Sequence, residues 1–301
     1  MPQSDFAAVN AINATTRLCA VLGSPVRHSA SPALHNAAFA ALGLNWRYLA
    51  FEVAPANLRA AIAGARVMGF AGLNLTVPHK LLAMDMVDAL DVSAQTWGAV
   101  NTIRFEDRAE GQAEKRIAQG FNTDADGLAS SLREDLALEL RGKKVLLLGA
   151  GGAGRTAALK LAAEGVAELF LVNRTAARAL EIQMEIRARF PAVAVSLGYP
   201  RAEVDLLLNA TSLGLKPGDA APLDENQFAV ARARAVYDMI YQPAETPLLA
   251  AARAAGCQTA NGLGMLVHQG AKAFELWTGQ PAPLAIMRRA AAEAIYGHAG
   301  S

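Results

Sequence analysis

Short apolar runs alternate along this chain with longer segments in which apolar side chains recur at helical spacing. The runs are typical of buried strands, and the longer segments are typical of amphipathic helices. In the first half the pattern predicts strands over 18–22, 46–53, 72–77, 98–105 and 117–121, and helices over 31–43, over 55–65 and after Pro78. The polar stretch 106–116 lies between the last two strands and predicts a surface hairpin.

The second half continues this alternation. It predicts helices over 124–136, 174–190, 247–256, 263–278 and 283–296, and strands over 144–148, 193–196, 204–209 and 234–240. Repeated strand–helix alternation implies an α/β fold in which helices cover both faces of parallel sheet. Residues 1–16 show no clear period and are predicted to form a loose extension.

A glycine-rich turn, Gly149-Ala-Gly-Gly-Ala-Gly154, follows the strand over 144–148. An alanine-rich helix and a second apolar run come after it, which is the order of a dinucleotide-binding βαβ unit. Glycines let the backbone approach a pyrophosphate, which then binds the N–H groups at the helix N-terminus. The turn by itself also fits an ordinary strand-to-helix connection, and its flanking elements favour binding. The predicted contacts are Gly149, Ala150, Gly151, Gly152 and Ala153.

The second apolar run ends in Asn173 and Arg174, and Arg178 follows one turn later. An NAD-binding unit usually has Asp or Glu at the end of this strand, where a carboxylate accepts hydrogen bonds from the ribose 2′-hydroxyl. A carboxylate would repel a 2′-phosphate, whereas guanidinium groups bind phosphate through paired hydrogen bonds. The sequence therefore predicts NADP as the cofactor.

Composition excludes several classes of protein. The chain has 301 residues, of which 53% are hydrophobic and 18% charged, so it can bury a core large enough for two domains. A net charge of +1 gives no field that would attract nucleic acid or an anionic membrane. The two cysteines form no disulfide framework, and the spacing of the five histidines matches no metal site. No leader or membrane-spanning run is recognisable, and we expect a cytoplasmic protein.

Four polar segments interrupt the apolar scaffold at the ends of predicted strands, where ligands collect in open α/β sheets. They are 28–31, 74–80, Asn101-Thr102 and 122–124. Their hydroxyls, amides, one lysine and one carboxylate would suit a polyhydroxylated acid. Structural roles are also open: Ser31 is well placed to cap a helix, Asn101 and Asn122 to form turns, and Thr76 to be a buried strand hydroxyl.

The nucleotide unit lies in the middle of the chain, with the polar segments before it and further polar residues after it. This order predicts a substrate-binding domain over 1–122, completed by the helices of 262–301, and a Rossmann-type domain over 123–261. The active site is expected in the cleft between them.

The chain resembles the shikimate/quinate dehydrogenase family over nearly all of its length after residue 17. The resemblance rests on nine segments in the family's order: 23–32, 74–80, 98–102, 122–124, 149–154, 173–175, 209–212, 237–239 and 261–269. It implies an NADP-dependent oxidoreductase that interconverts 3-dehydroshikimate and shikimate, a step in the biosynthesis of chorismate and aromatic amino acids. His79 stands where the family often has an aromatic residue.

The resemblance also implies residue roles. Lys80 and Asp124 match the family's catalytic pair, and Ser29 and Ser31 match the hydroxyls that hold the substrate carboxylate. The residues implied to line the remainder of the substrate are Thr76, Asn101, Tyr237 and Gln269. Those implied to bind the cofactor, besides the glycine-rich turn, are Asn173, Arg174, Thr175, Arg178, Thr211, Met239 and Gly262.

Two alternatives stay open at the level of sequence. One is a quinate/shikimate dehydrogenase of dual specificity that also accepts NAD, and the other is a non-catalytic NADP-sensing relative. The serine pair and the arginines favour shikimate and NADP over the dual-specificity alternative, and a sensor has no need of Lys80 and Asp124. The family contains both monomers and homodimers, and either state is expected here.

Overall fold

The computed structural model describes residues 12–107, 116–216 and 218–297. The chain forms two compact units: unit 1 comprises residues 1–124 and 269–301, and unit 2 comprises residues 125–268. Most of the predicted N-terminal extension and of the predicted hairpin tip lies outside the described residues. The predicted boundaries, after residues 122 and 261, lie close to those of the two units.

The elements are numbered here in chain order. The strands are β1 (Arg17–Gly23), β2 (Trp46–Glu52), β3 (Gly72–Leu75), β4 (Ala89–Leu90), β5 (Thr102–Glu106), β6 (Ile117–Phe121), β7 (Lys144–Leu148), β8 (Glu168–Val172), β9 (Ala194–Leu197), β10 (Val204–Asn209), β11 (Ala233–Asp238) and β12 (Gln258–Asn261). The helices are α1 (Ser31–Ala41), α2 (Leu58–Val67), α3 (His79–Leu82), α4 (Val92–Trp97), α5 (Asp124–Leu136), α6 (Gly152–Ala163), α7 (Ala176–Arg189), α8 (Pro247–Ala254), α9 (Leu263–Thr278) and α10 (Leu284–Tyr296).

The sheet of unit 1 has the strand order β2-β1-β3-β5-β6-β4. β1 runs parallel to both β2 and β3, whereas β5 is antiparallel to β3 and to β6. The expectation of parallel sheet is therefore wrong for the pairs that β5 forms with β3 and β6, because the predicted hairpin is itself part of the sheet. The hairpin brings the carboxyl end of β6 beside the start of β5, where Asn101 precedes the strand.

Different side chains cover the two faces of this sheet. One face carries an aliphatic core that includes Leu73, Ile103 and the inner face of α2. The other carries an aromatic layer in which His35 of α1 stacks on Tyr48 of β2, with ring centroids 4.3 Å apart. Trp277 of α9 packs against the same pair. The last helices thus complete the core of unit 1.

Trp277 requires a glycine on the adjoining strand. Its indole N–H donates to the carbonyl of Ile103, 3.0 Å away, and a Cβ on Gly72 would lie 2.0 Å from that nitrogen. Gly72→Ala is expected to destabilise the protein by about 2–3 kcal/mol, because the indole must move and lose its hydrogen bond. Urea unfolding of the variant measures this loss.

The matched control is Gly64→Ala, inside helix α2, where a Cβ meets only the end of Met68 at 3.9 Å. Alanine there should stabilise the helix by roughly 0.5–1 kcal/mol, because glycine has more conformational freedom to lose. Equal destabilisation by the two substitutions would contradict the role of Gly72.

Unit 2 is a parallel sheet of order β12-β11-β10-β7-β8-β9. In the sequence order of its own strands this is the doubly wound arrangement of a Rossmann fold. The order reverses between β7 and β10, and ligands bind at the carboxyl ends of strands beside such a reversal. The predicted fold class, two α/β domains of which one is of the Rossmann type, is confirmed.

Sequence patterning missed several short elements. Helix α4 was not predicted, although Asp91 caps it by accepting from the Ser93 N–H and Gly98 ends it at φ +65°. The strand predicted to begin at Gly98 therefore begins at Thr102. The short strands β4 and β12 were also missed. Among the described residues, no helix is long and apolar enough to cross a membrane.

Candidate active site

Unit 1 brings together the two residues that were predicted to be catalytic. Lys80 lies on α3, directly after β3, and Asp124 begins α5, directly after β6. The lysine Nζ is 2.7 Å from Oδ2 of Asp124, and the side chains are 32% and 13% exposed. This ion pair is buried enough to be held in place and open enough to meet a ligand. It can supply a proton to an oxygen bound beside it.

Asn101 holds the carboxylate of this pair. Its Nδ2 donates to Oδ1 of Asp124 over 2.9 Å, while its Oδ1 accepts from the Thr123 N–H over 2.8 Å. Gln269 of α9 is also near, with Oε1 3.5 Å from the same Nδ2. Asn101 is 2% exposed. The turn-forming alternative for Asn101 is therefore wrong, because its side chain is committed to the ion pair.

Asn122 has a structural role, as one of the alternatives predicted. Its Oδ1 accepts from the Asp124 N–H, and its Nδ2 donates to the carbonyl of Ala99. These bonds fix the backbone at the start of α5, from which the side chain of Asp124 projects.

The two predicted carboxylate-binding serines lie at the start of α1. Ser29 is half-buried, and its Oγ accepts from the Ser31 N–H over 3.3 Å. Ser31 does not cap the helix: the N-cap is Ala30, and the cap has no side-chain hydrogen bond. The hydroxyl of Ser31 instead bonds to the phenol of Tyr48. The capping alternative is wrong, because α1 begins one residue earlier than that role requires.

Thr76 follows β3 and is half-buried, so it is not the fully buried strand hydroxyl that was the alternative. Its backbone is fixed by bonds to Leu22 and His79. A Cβ on Gly23 would lie 2.4 Å from the Thr76 methyl group, so this approach needs glycine. His79 is buried and its Nε2 lies 2.8 Å from the carbonyl of Val53, while burial lowers the pKa of its ring. It is a packing residue.

The glycine-rich turn of unit 2 contains two kinds of glycine. Gly149 has φ +105°, and a Cβ on Gly154 would lie 2.2 Å from the carbonyl oxygen of Gly149, so these two allow the turn to close. Gly151 and Gly152 are exposed and have nothing within 4 Å of a built Cβ. A ligand can therefore approach their backbone and the N-terminus of α6, as the pyrophosphate of a dinucleotide requires.

Asn173 joins this turn to the end of β8. Its Oδ1 accepts from the Ala150 N–H over 3.0 Å, and its Nδ2 donates to the carbonyl of Thr175. Arg174 and Arg178 are both exposed. Within the described parts of the chain, neither of them has an ion-pair partner. Both guanidinium groups are thus available to a phosphate.

The remaining predicted cofactor residues follow neighbouring strands of unit 2. Thr211 is fixed by two bonds to Oδ1 of Asn209, whose Nδ2 donates to the buried carboxyl of Asp238. Burial raises the pKa of Asp238. A Cβ on Gly262 would lie 2.1 Å from the carbonyl oxygen of Met239, so the ends of β11 and β12 approach closely there. All three predicted residues therefore lie beyond the carboxyl ends of β10, β11 and β12.

Comparison with known proteins places this arrangement in a family. Family models match residues 21–103 (Shikimate dehydrogenase substrate binding domain), 130–213 (Shikimate / quinate 5-dehydrogenase) and 262–292 (Shikimate 5'-dehydrogenase C-terminal domain). The shikimate dehydrogenase (NADP(+)) of Moorella thermoacetica is 46% identical over 297 residues, 96% of this chain and 97% of that protein. The chain belongs to the shikimate dehydrogenase family.

Two further relatives agree with this assignment. The shikimate dehydrogenase (NADP(+)) of Methanopyrus kandleri is 43% identical over 94% of this chain and 97% of its own. The crystal structure of shikimate 5-dehydrogenase from Thermus thermophilus, in complex with NADP(H) and shikimate, has a TM-score of 0.80 and 38% identity. It covers 92% of this chain and 99% of that one.

Within this shikimate dehydrogenase fold, Tyr237 lies in the core, where it cannot contact a substrate. It is fully buried in β11, and its hydroxyl lies 2.8 Å from Oγ of Ser131. Tyr241, which the sequence analysis passed over, follows the carboxyl end of the same strand and is partly exposed. Burial raises the pKa of Tyr241, which keeps its phenol a hydrogen-bond donor. Its position beyond the strand end was the signal that could have identified it.

Proposed function

We propose that this chain is an NADP-dependent shikimate dehydrogenase, which reversibly reduces 3-dehydroshikimate to shikimate. The observation that carries the proposal is the partly exposed pair of Lys80 and Asp124, joined over 2.7 Å and held by Asn101. A ketone that accepts a hydride develops negative charge on oxygen, so a proton donor beside it stabilises the transition state. The relative from Thermus thermophilus, with NADP(H) and shikimate bound, supports the substrate and the cofactor.

NADPH, when bound, supplies the hydride to the ketone carbon. Lys80 then gives a proton from its ammonium group to the ketone oxygen, which becomes the hydroxyl of shikimate, and the lysine is left neutral. Asp124 orients the ammonium group before the transfer through the 2.7 Å ion pair. In the oxidative direction neutral Lys80 takes the proton back.

Other side chains of unit 1 suit the remainder of the substrate. We infer that Ser29 and Ser31 bind the carboxylate, while Thr76 and Gln269 bind ring hydroxyls. Asn101, which was predicted to line the substrate, acts on Asp124. In unit 2, Tyr237 is enclosed in the core. We therefore assign to Tyr241 the role that the resemblance implied for Tyr237.

We also infer that Arg174 and Arg178 bind the 2′-phosphate of NADP, with Thr175 between them. Replacing both arginines by alanine is expected to raise KM for NADP by about 100-fold, since charged hydrogen bonds to the phosphate are lost. KM for NAD, which lacks that phosphate, should change little. Initial rates with each cofactor at saturating shikimate measure the ratio.

Arg189→Ala is the matched control, because Arg189 lies on helix α7 with Arg178 but pairs with Glu185 over 2.7 Å. It should leave both KM values close to those of the wild-type enzyme. A parallel rise of KM for NADP and NAD in the double variant would argue against phosphate recognition.

The proposed function is tested by following nicotinamide absorbance with shikimate or quinate, each with NADP or NAD. Turnover with shikimate and NADP alone supports the whole assignment. Turnover with quinate or NAD would move the protein to the dual-specificity alternative. Folded protein that binds NADP but turns over no pair would favour the sensing alternative.

Three further predictions concern the pathway, the cellular location and the oligomeric state of the protein. The place of the reaction in chorismate and aromatic amino acid biosynthesis follows from the proposed substrate. The cytoplasmic location stays a prediction, as does a monomeric or homodimeric state, which light scattering after size exclusion would measure.

A further inference from the structure

A chain of side-chain hydrogen bonds runs from the edge of the unit 1 sheet to the proposed catalytic pair. Tyr48 donates to Oδ1 of Asn74 over 2.7 Å, and Nδ2 of Asn74 donates to the Thr102 hydroxyl over 2.9 Å. Thr102 donates to Oδ1 of Asn101 over 3.1 Å, and Asn101 donates to Asp124 over 2.9 Å. All the links before Asp124 are buried.

The neighbouring groups give each bond of this series a direction. Nδ2 of Asn74 also lies 3.2 Å from the carbonyl oxygen of Asn101, which can only accept, so the amide orientation of Asn74 is fixed. Thr102 accepts from that amide and donates to Oδ1 of Asn101 over 3.1 Å, which is nearer to it than the Thr123 hydroxyl at 3.4 Å. Each donor therefore points toward the carboxylate of Asp124. Bonds aligned in this way polarise one another in a buried setting.

The fold puts Thr102 in the middle of this series of hydrogen bonds. β3 and β5 are antiparallel, and their register pairs Asn74 directly with Thr102. Residues paired in this way share a face and their side chains meet. The sequence pattern alone does not show this pairing, because Thr102 also fits an ordinary strand position.

We propose that Thr102 is a positioning residue for the catalytic pair. Its hydroxyl holds the Asn101 amide so that Nδ2 faces Oδ1 of Asp124, which leaves Oδ2 on Lys80. Thr102 is fully buried and touches no substrate, so it acts through Asn101. The inference rests on the proposed function, since it assigns the hydroxyl a role in that reaction.

The test compares Thr102→Val, which keeps the shape but removes the hydroxyl, with Thr102→Ser, which keeps the hydroxyl. We expect Thr102→Val to lower kcat for shikimate oxidation roughly 10-fold while KM for shikimate and for NADP stays within about 2-fold, because the proton-transfer geometry is lost and the binding groups remain. Thr102→Ser should restore kcat to within about 2-fold of wild type.

The control is Thr278→Val, which removes a hydroxyl that is bonded to the Phe274 carbonyl over 2.8 Å in the same unit. It should lower thermal stability less than Thr102→Val does, because Thr278 is only half-buried, and it should leave kcat unchanged. If Thr102→Val does not fold, Thr102→Ala replaces it, with the same loss of kcat expected.

Several outcomes would overturn the inference. Wild-type kcat in Thr102→Val or Thr102→Ala would do so, as would an equal loss in Thr102→Ser, or a rise in KM without a fall in kcat. The wild-type assay separates the two proposals. An active wild-type enzyme with an unaffected variant removes only the role of Thr102, whereas a wild-type protein without turnover removes the proposed function and this inference together.

Discussion

Lys80→Ala is expected to lower kcat for shikimate oxidation by about 1,000-fold while KM for shikimate rises only a few-fold. The reason is that Lys80 moves the proton in the transition state, whereas the substrate carboxylate and ring hydroxyls are held by other side chains. A positioned acid or base contributes a factor of about 100 to 10,000. Steady-state rates with saturating NADP measure both constants.

Lys144→Ala provides the control for this experiment. Lys144 pairs with Glu168 over 2.7 Å, the same distance that separates Lys80 from Asp124, but it lies at the start of β7 in unit 2. Loss of this exposed ion pair should cost little stability and no activity. Near-normal turnover in Lys80→Ala would remove the lysine from the mechanism.

The protein should lose stability in acid because of His35. This side chain is fully buried on Tyr48, and among the described residues neither ring nitrogen has a hydrogen-bond partner. Burial lowers the pKa of His35 from 6.5 to about 3. Between pH 6.5 and about 3, the unfolded chain binds a proton at His35 that the folded chain does not. The free energy of unfolding should therefore fall by about 1.4 kcal/mol per pH unit as the pH decreases below 6.5.

The measurement is urea unfolding of the wild type and of His35→Leu between about pH 4.5 and 8. This range includes pH values above 6.5, where His35 is neutral in both states, and values below 6.5, where it is neutral only in the folded state. The variant should lack this part of the slope, so its stability relative to the wild type improves as the pH falls. His28→Leu is the control, because His28 is exposed and in water in both states. Parallel pH profiles for wild type and His35→Leu would contradict the account.

Much of the candidate site follows from local signals in the sequence. Lys80 and Asp124 come directly after predicted strands, where a sheet collects ligands, and the two kinds of glycine between Gly149 and Gly154 occupy the turn that the βαβ pattern predicts. The bounds of α9 were also predicted correctly. In each of these cases, neighbouring residues determine the structure.

The features that the sequence did not reveal depend on contacts between distant segments. From the sequence, Ser31 also suited the N-cap of a helix. Its bond to the phenol of Tyr48 depends on where β2 lies in the sheet, beside β1. The apolar run that continues to Ile240 concealed the end of β11 at Asp238. For that reason, the pattern could not show which tyrosine lies inside the strand and which lies beyond it.

Unit 1 is built from both ends of the chain, which has a consequence for synthesis. A ribosome that has made the first 268 residues has completed all of unit 2, while the aromatic face of unit 1 still lacks Phe274 and Trp277. Domains fold as units while the chain emerges. Unit 1, although its translation starts first, therefore completes its core only after the last two helices have been made, whereas every residue of unit 2 is available before them.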